Sequence, residues 1–143
     1  MGKDARREEY RHWEVVPTRW QDADAYGHVN NAVYYSFFDT AVTRMLYARG
    51  VLGDGVMIGL CVESSCRFHA PITFPQIVDA GVRIGRIGDK SIRYEIALFV
   101  QGEGAAAATG DFVHVYVDPD SRRSLSIPMQ KRESLQSLVT VSD

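Results

Sequence analysis

Between Ala32 and Tyr47 the chain reads AVYYSFFDTAVTRMLY, and only Ser36, Asp39, Thr40, Thr43 and Arg44 in that run are not apolar. At 100° per residue those five side chains fall within an arc of roughly 140°, which leaves about 220° of a helix apolar. Surface helices carry a narrower stripe, so this one must be covered on most of its sides. Asn30 is a good amino-terminal cap and Gly50 a natural stop, which together predict a helix from Asn31 to Arg49. Whatever the rest of the chain forms has to enclose it.

Outside this run the hydrophobic period falls from 3.6 to 2. Trp13–Trp20 places Val16, Thr18 and Trp20 on one face, with Pro17 marking an edge or a bulge because it cannot donate to a ladder. After the Gly-rich segment 50–59, Leu60, Val62, Ser64, Cys66 and Phe68 alternate with Cys61, Glu63, Ser65, Arg67 and His69. Val78, Ala80, Val82 and Ile84 form the next apolar face, and Ile92, Tyr94, Ile96, Leu98 and Val100 the one after it. A last strand runs over 105–117. Short turns at Gly88-Asp89, Gly102-Glu103-Gly104 and Asp118-Pro119-Asp120 imply an antiparallel meander. One helix followed by such strands is an α+β domain, and the helix pattern requires the sheet to curl about it. A final helical turn is expected over 129–138.

The 143 residues suit one core, so residues 13–143 read as one domain behind a solvated leader, 1–12, without a secretory h-region. No run reaches the ~20 apolar residues of a membrane helix. A formal charge of −2 supplies no field to draw the chain onto nucleic acid or an anionic membrane. Cys61 and Cys66, an odd number of residues apart on one strand, should face opposite ways as free thiols, consistent with a cytoplasmic protein. His12, His28, His69 and His114 have no metal-ligand spacing.

The loop before the helix supplies the chemistry. Trp20, Asp22, Asp24, Gly27, His28, Val29, Asn30, Asn31 and Tyr34 spell W-x-D-x-D-x-x-G-H-V-N-N-x-x-Y. This motif resembles that of the hotdog-fold acyl-CoA thioesterases of the 4-hydroxybenzoyl-CoA thioesterase type, and the similarity extends over about residues 13–128. It implies a long central helix wrapped by a five- or six-stranded antiparallel sheet. It also implies a homodimer with interfacial active sites, often paired into a homotetramer, that hydrolyses an acyl-CoA without metal or prosthetic group.

By the same resemblance Asp24 is the nucleophile or general base, and the amide of Asn31 at the positive helix end is the oxyanion donor. A thiol of pKa near 8.5 leaves as thiolate without much help from an acid, so one carboxylate suffices. Asp22 is expected to hold the loop by hydrogen bonds, Gly27 to let it turn tightly and His28 to support or share in catalysis. Tyr34, Tyr35 and Phe38 are expected to form the acyl pocket, Lys90 to hold the CoA nucleotide, and Arg67 and His69 to contribute to it more weakly. Two other activities fit the same residues: hydrolysis of acyl groups on acyl carrier protein, and acyl-CoA binding without turnover.

Overall fold

The computed structural model describes residues 5–140. Five antiparallel strands, β1 (His12–Pro17), β2 (Ile58–Phe68), β3 (Ile77–Ile87), β4 (Ser91–Val100) and β5 (Ala108–Val117), form one sheet in the order β1-β3-β4-β5-β2. Helix α1 (Val33–Ala48) lies on its concave face, and α2 (Met129–Leu135) follows β5. This is the hotdog arrangement. Only β3, β4 and β5 form a meander. The expectation that β2 would join it fails, because segment 69–76 carries the chain from the β2 edge across the sheet to β3, the strand beside the opposite edge. β2 therefore pairs with β5 and not with β3. Pro17 does lie on an edge strand.

The core is built from the predicted alternation. Val78, Ala80, Val82 and Ile84 of β3 and Ile92, Tyr94, Ile96 and Leu98 of β4 are all fully buried beneath α1. From α1 itself, Tyr34, Phe37, Phe38, Ala41, Val42, Met45 and Leu46 are buried, a face of roughly 180° at 100° per residue. Tyr35 and Tyr47 stay exposed. Within one chain the helix is thus covered over half its circumference, less than the apolar pattern demands.

Both ends of α1 are fixed locally. Asn30 Oδ1 accepts from the Ala32 amide at 2.9 Å, and the Asn30 carbonyl from Val33 at 2.9 Å. At the other end Gly50 takes φ +71°, and the amides of Gly50 and Val51 bond back to the carbonyls of Tyr47 and Leu46, a Schellman motif.

Two further expectations are corrected. Of the leader, residues 1–4 lie outside the described residues, and the remainder is solvated only in part, with Arg6, Glu8, Glu9 and Arg11 exposed. Ala5 and Tyr10 are buried with Ala97, Phe99 and Ala106 in a small second core on the convex face. Arg7 stacks 4.8 Å over Phe99 and pairs with Asp79 at 3.0 Å. Second, a β-bulge between Cys61 and Glu63 shifts the β2 register by one. Cys61 and Cys66 then sit opposite His114 and Gly110, on one face instead of two, though roughly 13 Å of strand still separates those partners. Both thiols are free, and burial pushes that of Cys66 up to about 11, as befits a packing residue.

The helix meets the sheet most closely at Gly110, where an added Cβ would collide with the Phe38 ring and the Ser65 carbonyl. Gly110→Ala is therefore expected to lower unfolding stability by about 1–3 kcal/mol in urea titrations, with the fold retained.

Candidate active site

The loop from Arg19 to Ala32 is short, polar and tied down by its own backbone. Asp22 is fully buried and accepts three hydrogen bonds from Arg19: the amide at 2.7 Å, Nε at 3.1 Å and Nη2 at 2.8 Å. Its carbonyl takes the Asn30 amide at 2.8 Å, and the Val29 amide reaches Ile72 at 2.7 Å. These bonds join the loop to itself and to segment 69–76. Burial alone would raise the Asp22 carboxyl, but the Arg19 guanidinium and amide outweigh it and hold the group below the usual carboxylate range. Asp22 is thus a structural residue, as expected for the first Asp of the motif.

Asp24 is half-buried at the start of the following turn. Its Oδ1 accepts from the amides of Tyr26 at 2.8 Å and His28 at 3.4 Å, while Oδ2 makes no hydrogen bond among the described residues. The Asp24 amide donates to the His28 carbonyl and the Gly27 amide to the Asp24 carbonyl, closing a tight hairpin that requires φ +83° at Gly27. One carboxylate oxygen is anchored and the other is available.

The amide of Asn31 stands out in the same way. Those of Val29, Asn30, Ala32 and Val33 all have acceptors; among the described residues that of Asn31 has none. It lies two residues before the regular helix begins, at the positive end of the α1 dipole.

An open cleft of about 340 Å³ is lined by Asp24, His28, Val29, Asn31 and Tyr34 together with Phe68, His69, Ala70 and Pro71. The free carboxylate oxygen and the free amide therefore belong to residues of one cavity. The Tyr34 ring packs edge-on against Phe68 with centroids 4.9 Å apart, and burial raises its phenol while a hydrogen bond with the Ile72 backbone opposes that shift. His69 Nε2 lies 2.9 Å from the Thr109 hydroxyl.

Other anticipated residues lie elsewhere. Phe38 is sealed in the core, and Tyr35 is exposed on α1 outside the cleft. Arg67 is on the convex face beside Arg93, Glu95 and Asp111. Lys90 is in the β3–β4 turn, at the end of β5 near Val115, whereas the cleft adjoins the end near Ala108. By strand rise the separation is roughly 24 Å, so a single chain does not bring Lys90 to Asp24. Sequence reading overlooked Phe68, Ala70 and Pro71. Only the position of segment 69–76 between two strands hinted that it would border the loop.

Residues 18–137 match the thioesterase-like superfamily. The chain belongs to that family. Among solved structures it resembles the PA5185 protein of Pseudomonas aeruginosa strain PAO1, with 47% identity, 96% of this chain and 98% of that one covered, and a TM-score of 0.92. It resembles the PA2801 protein of Pseudomonas aeruginosa at 26% identity over 86% of this chain and 96% of the other, TM-score 0.79. A gentisyl-coenzyme A thioesterase, BH1999, is likewise 26% identical over 87% of this chain and 99% of its own, TM-score 0.77. No curated protein matches the chain significantly. At the level of the family the thioesterase-like chain is a thioester hydrolase. Among the described residues no helix is long and apolar enough to cross a membrane, and no cluster of three or more His, Cys, Asp or Glu could hold a metal.

The Asp22–Arg19 pair has a pH signature. Because the folded carboxyl sits below its unfolded value, its stabilisation is present above the ordinary carboxylate range and disappears as pH falls through the folded pKa. Asp22→Asn is expected to lower the thermal midpoint at pH 7 and to converge on the wild type below about pH 4, measured by thermal unfolding from pH 7 to 2.

Proposed function

We propose that this protein hydrolyses acyl-CoA thioesters to the free carboxylic acid and CoA, in the cleft between the Asp24 turn and the start of α1. The observation that carries this reading is the meeting in one cavity of a carboxylate oxygen and a backbone amide that have no other partner among the described residues. The acyl-CoA substrate is further supported by similarity to a gentisyl-CoA thioesterase.

The thioester carbonyl oxygen accepts from the Asn31 N–H, where the helix dipole favours the negative charge that develops on it. Asp24 either adds its free oxygen to the carbonyl carbon, giving an acyl anhydride that water then cleaves, or takes a proton from a water that adds directly. In both routes the tetrahedral intermediate collapses by breaking the C–S bond, and CoA departs as thiolate. Gly27 sets the turn that presents Asp24, and His28 borders the same space.

The active unit in this reading is a homodimer formed through β2. Leu60, Val62 and Phe68 are exposed on this edge strand, an unusual apolar display for a free edge. Antiparallel pairing of two copies would bury them and set the Ile58 end of one β2 against the Phe68 end of the other. The remote Lys90 of one copy then moves toward the Asp24 cleft of its partner.

With a panel of short, long and aromatic acyl-CoAs, monitored by release of free thiol, Asp24→Asn is expected to lower kcat by at least about 10²-fold. Asn31→Ala keeps the backbone amide and should leave kcat within a few-fold, whereas Asn31→Pro removes it and should cost about 10²–10³-fold. Intact turnover in Asp24→Asn, or no thiol release by wild type from any substrate, would sink the proposal. Separately, Leu60→Lys combined with Val62→Lys should shift the mass measured by light scattering to that of a monomer, with activity lost in parallel.

A further inference from the structure

The larger cleft, about 400 Å³, lies at the other end of the sheet and is not used above. Asp39, Thr43 and Tyr47 of α1 form one wall, and Leu52 and Met57 of the Gly-rich loop form another, with His114 of β5 at the base. His114 is only 4% exposed and is enclosed by the rings of Tyr94, Phe112 and Tyr116 at centroid distances of 5.0–5.7 Å. Gly59 leaves the room it occupies, since a Cβ there would stand 2.8 Å from Nδ1.

His114 ends a buried polar chain. The Tyr94 hydroxyl lies 2.6 Å from that of Tyr116, which lies 3.4 Å from His114 Nδ1. Among the described residues, Tyr94 has no other hydroxyl partner and His114 Nε2 has none at all. Hydrogen bookkeeping then fixes the direction. If Nδ1 carried the proton and donated to Tyr116, Tyr116 would donate to Tyr94, and the Tyr94 proton would be left buried without an acceptor, at a real cost. With Tyr94 donating to Tyr116 and Tyr116 to Nδ1, both buried hydroxyl protons have acceptors, and the one donor left over is the ring N–H of a residue that lines the cleft. The ring proton is then on Nε2.

We infer that this cleft is a recognition pocket for an uncharged organic group carrying one oxygen acceptor, which takes a hydrogen bond from His114 Nε2–H. Tyr47, Leu52 and Met57 supply apolar and aromatic walls for the rest of the group. Burial pushes the His114 imidazole down to about 4, so at neutral pH it donates without bringing a positive charge. Asp39 at the rim disfavours an anionic occupant. A carbonyl, ether or hydroxyl oxygen fits where a carboxylate does not. Under the thioesterase reading this group is the far end of the acyl moiety, because self-pairing of β2 carries the Ile58 end of one chain, with its cleft, toward Asp24 of the other. That identification rests on the reading above; the pocket itself does not.

The test uses acetophenone and ethylbenzene, near-isosteres that differ in the carbonyl oxygen, titrated against protein labelled with ¹⁵N-histidine. The expected results are an Nε2–H tautomer for His114 in the free protein, movement of its ring resonances on adding acetophenone, and affinity for ethylbenzene about tenfold weaker. His114→Phe should erase the preference, and His114→Gln, whose amide reaches the same place, should restore part of it. The wild-type measurements need no variant to fold. An Nδ1–H tautomer, equal affinities, or no binding of either probe at millimolar concentration would each overturn the pocket. A kinetic arm compares an oxoacyl-CoA with its deoxy counterpart. A kcat/KM preference for the oxoacyl substrate that vanishes in His114→Phe supports the acyl assignment, and its absence alongside normal turnover overturns that assignment. Absence of all turnover refutes the thioesterase reading, with the pocket judged by the binding arm alone.

Discussion

The seating of the Phe38 ring over Gly110 sets how deep α1 lies in the sheet, and through that the height of everything at its amino end. A side chain in place of that hydrogen would lift the helix off β5. The cleft depends on closeness, because the Asp24 turn is part of the helix's own approach while Phe68 and Pro71 belong to the sheet and its connection. Packing in the centre of the domain therefore governs a polar geometry at its rim.

The loop keeps its functional groups free by satisfying their neighbours. Asp22 collects Arg19 and supplies a carbonyl to Asn30; Asn30 in turn caps Ala32 and Val33. Asp24 gives one oxygen to its own turn. What is left over, one carboxylate oxygen and one amide, is a remainder fixed by the surrounding bonds, and preorganisation of this kind is what electrostatic stabilisation requires.

The sequence reveals the elements of this fold far better than their order. Periodicities of 2 and 3.6 located each strand and the helix; β3, β4, β5 and α1 bury the face that the pattern marks, whereas β2 has no buried residue within one chain. Nothing local in 69–76 says that it crosses the sheet from β2 to β3, and the alternation of β2 is interrupted by a bulge that no single residue announces. At the site, residues of one continuous loop were legible through their motif, and Asp22 holds that loop by hydrogen bonds as expected. Where Lys90 and Arg67 stand relative to that loop was not legible, since a positive charge reads alike on either end or face of a sheet. His114 was passed over because its significance lies in Tyr94 and Tyr116, which share its strand or pair beside it only after folding.

The segment around Arg7 and Tyr10 makes the convex face stepped. Phe99 and Ala97, in the second half of β4, lie beneath a second layer of chain; in its first half, Arg93 and Glu95 line an open charged hollow with Arg67 of β2 and Asp111 of β5. A flat neighbour cannot lie across both halves at once. A layer stacked on this side has to be offset toward β2 and β5, where it meets charges already paired within the chain, Arg93 with Asp111 at 2.9 Å and Glu95 with Arg83 at 2.7 Å.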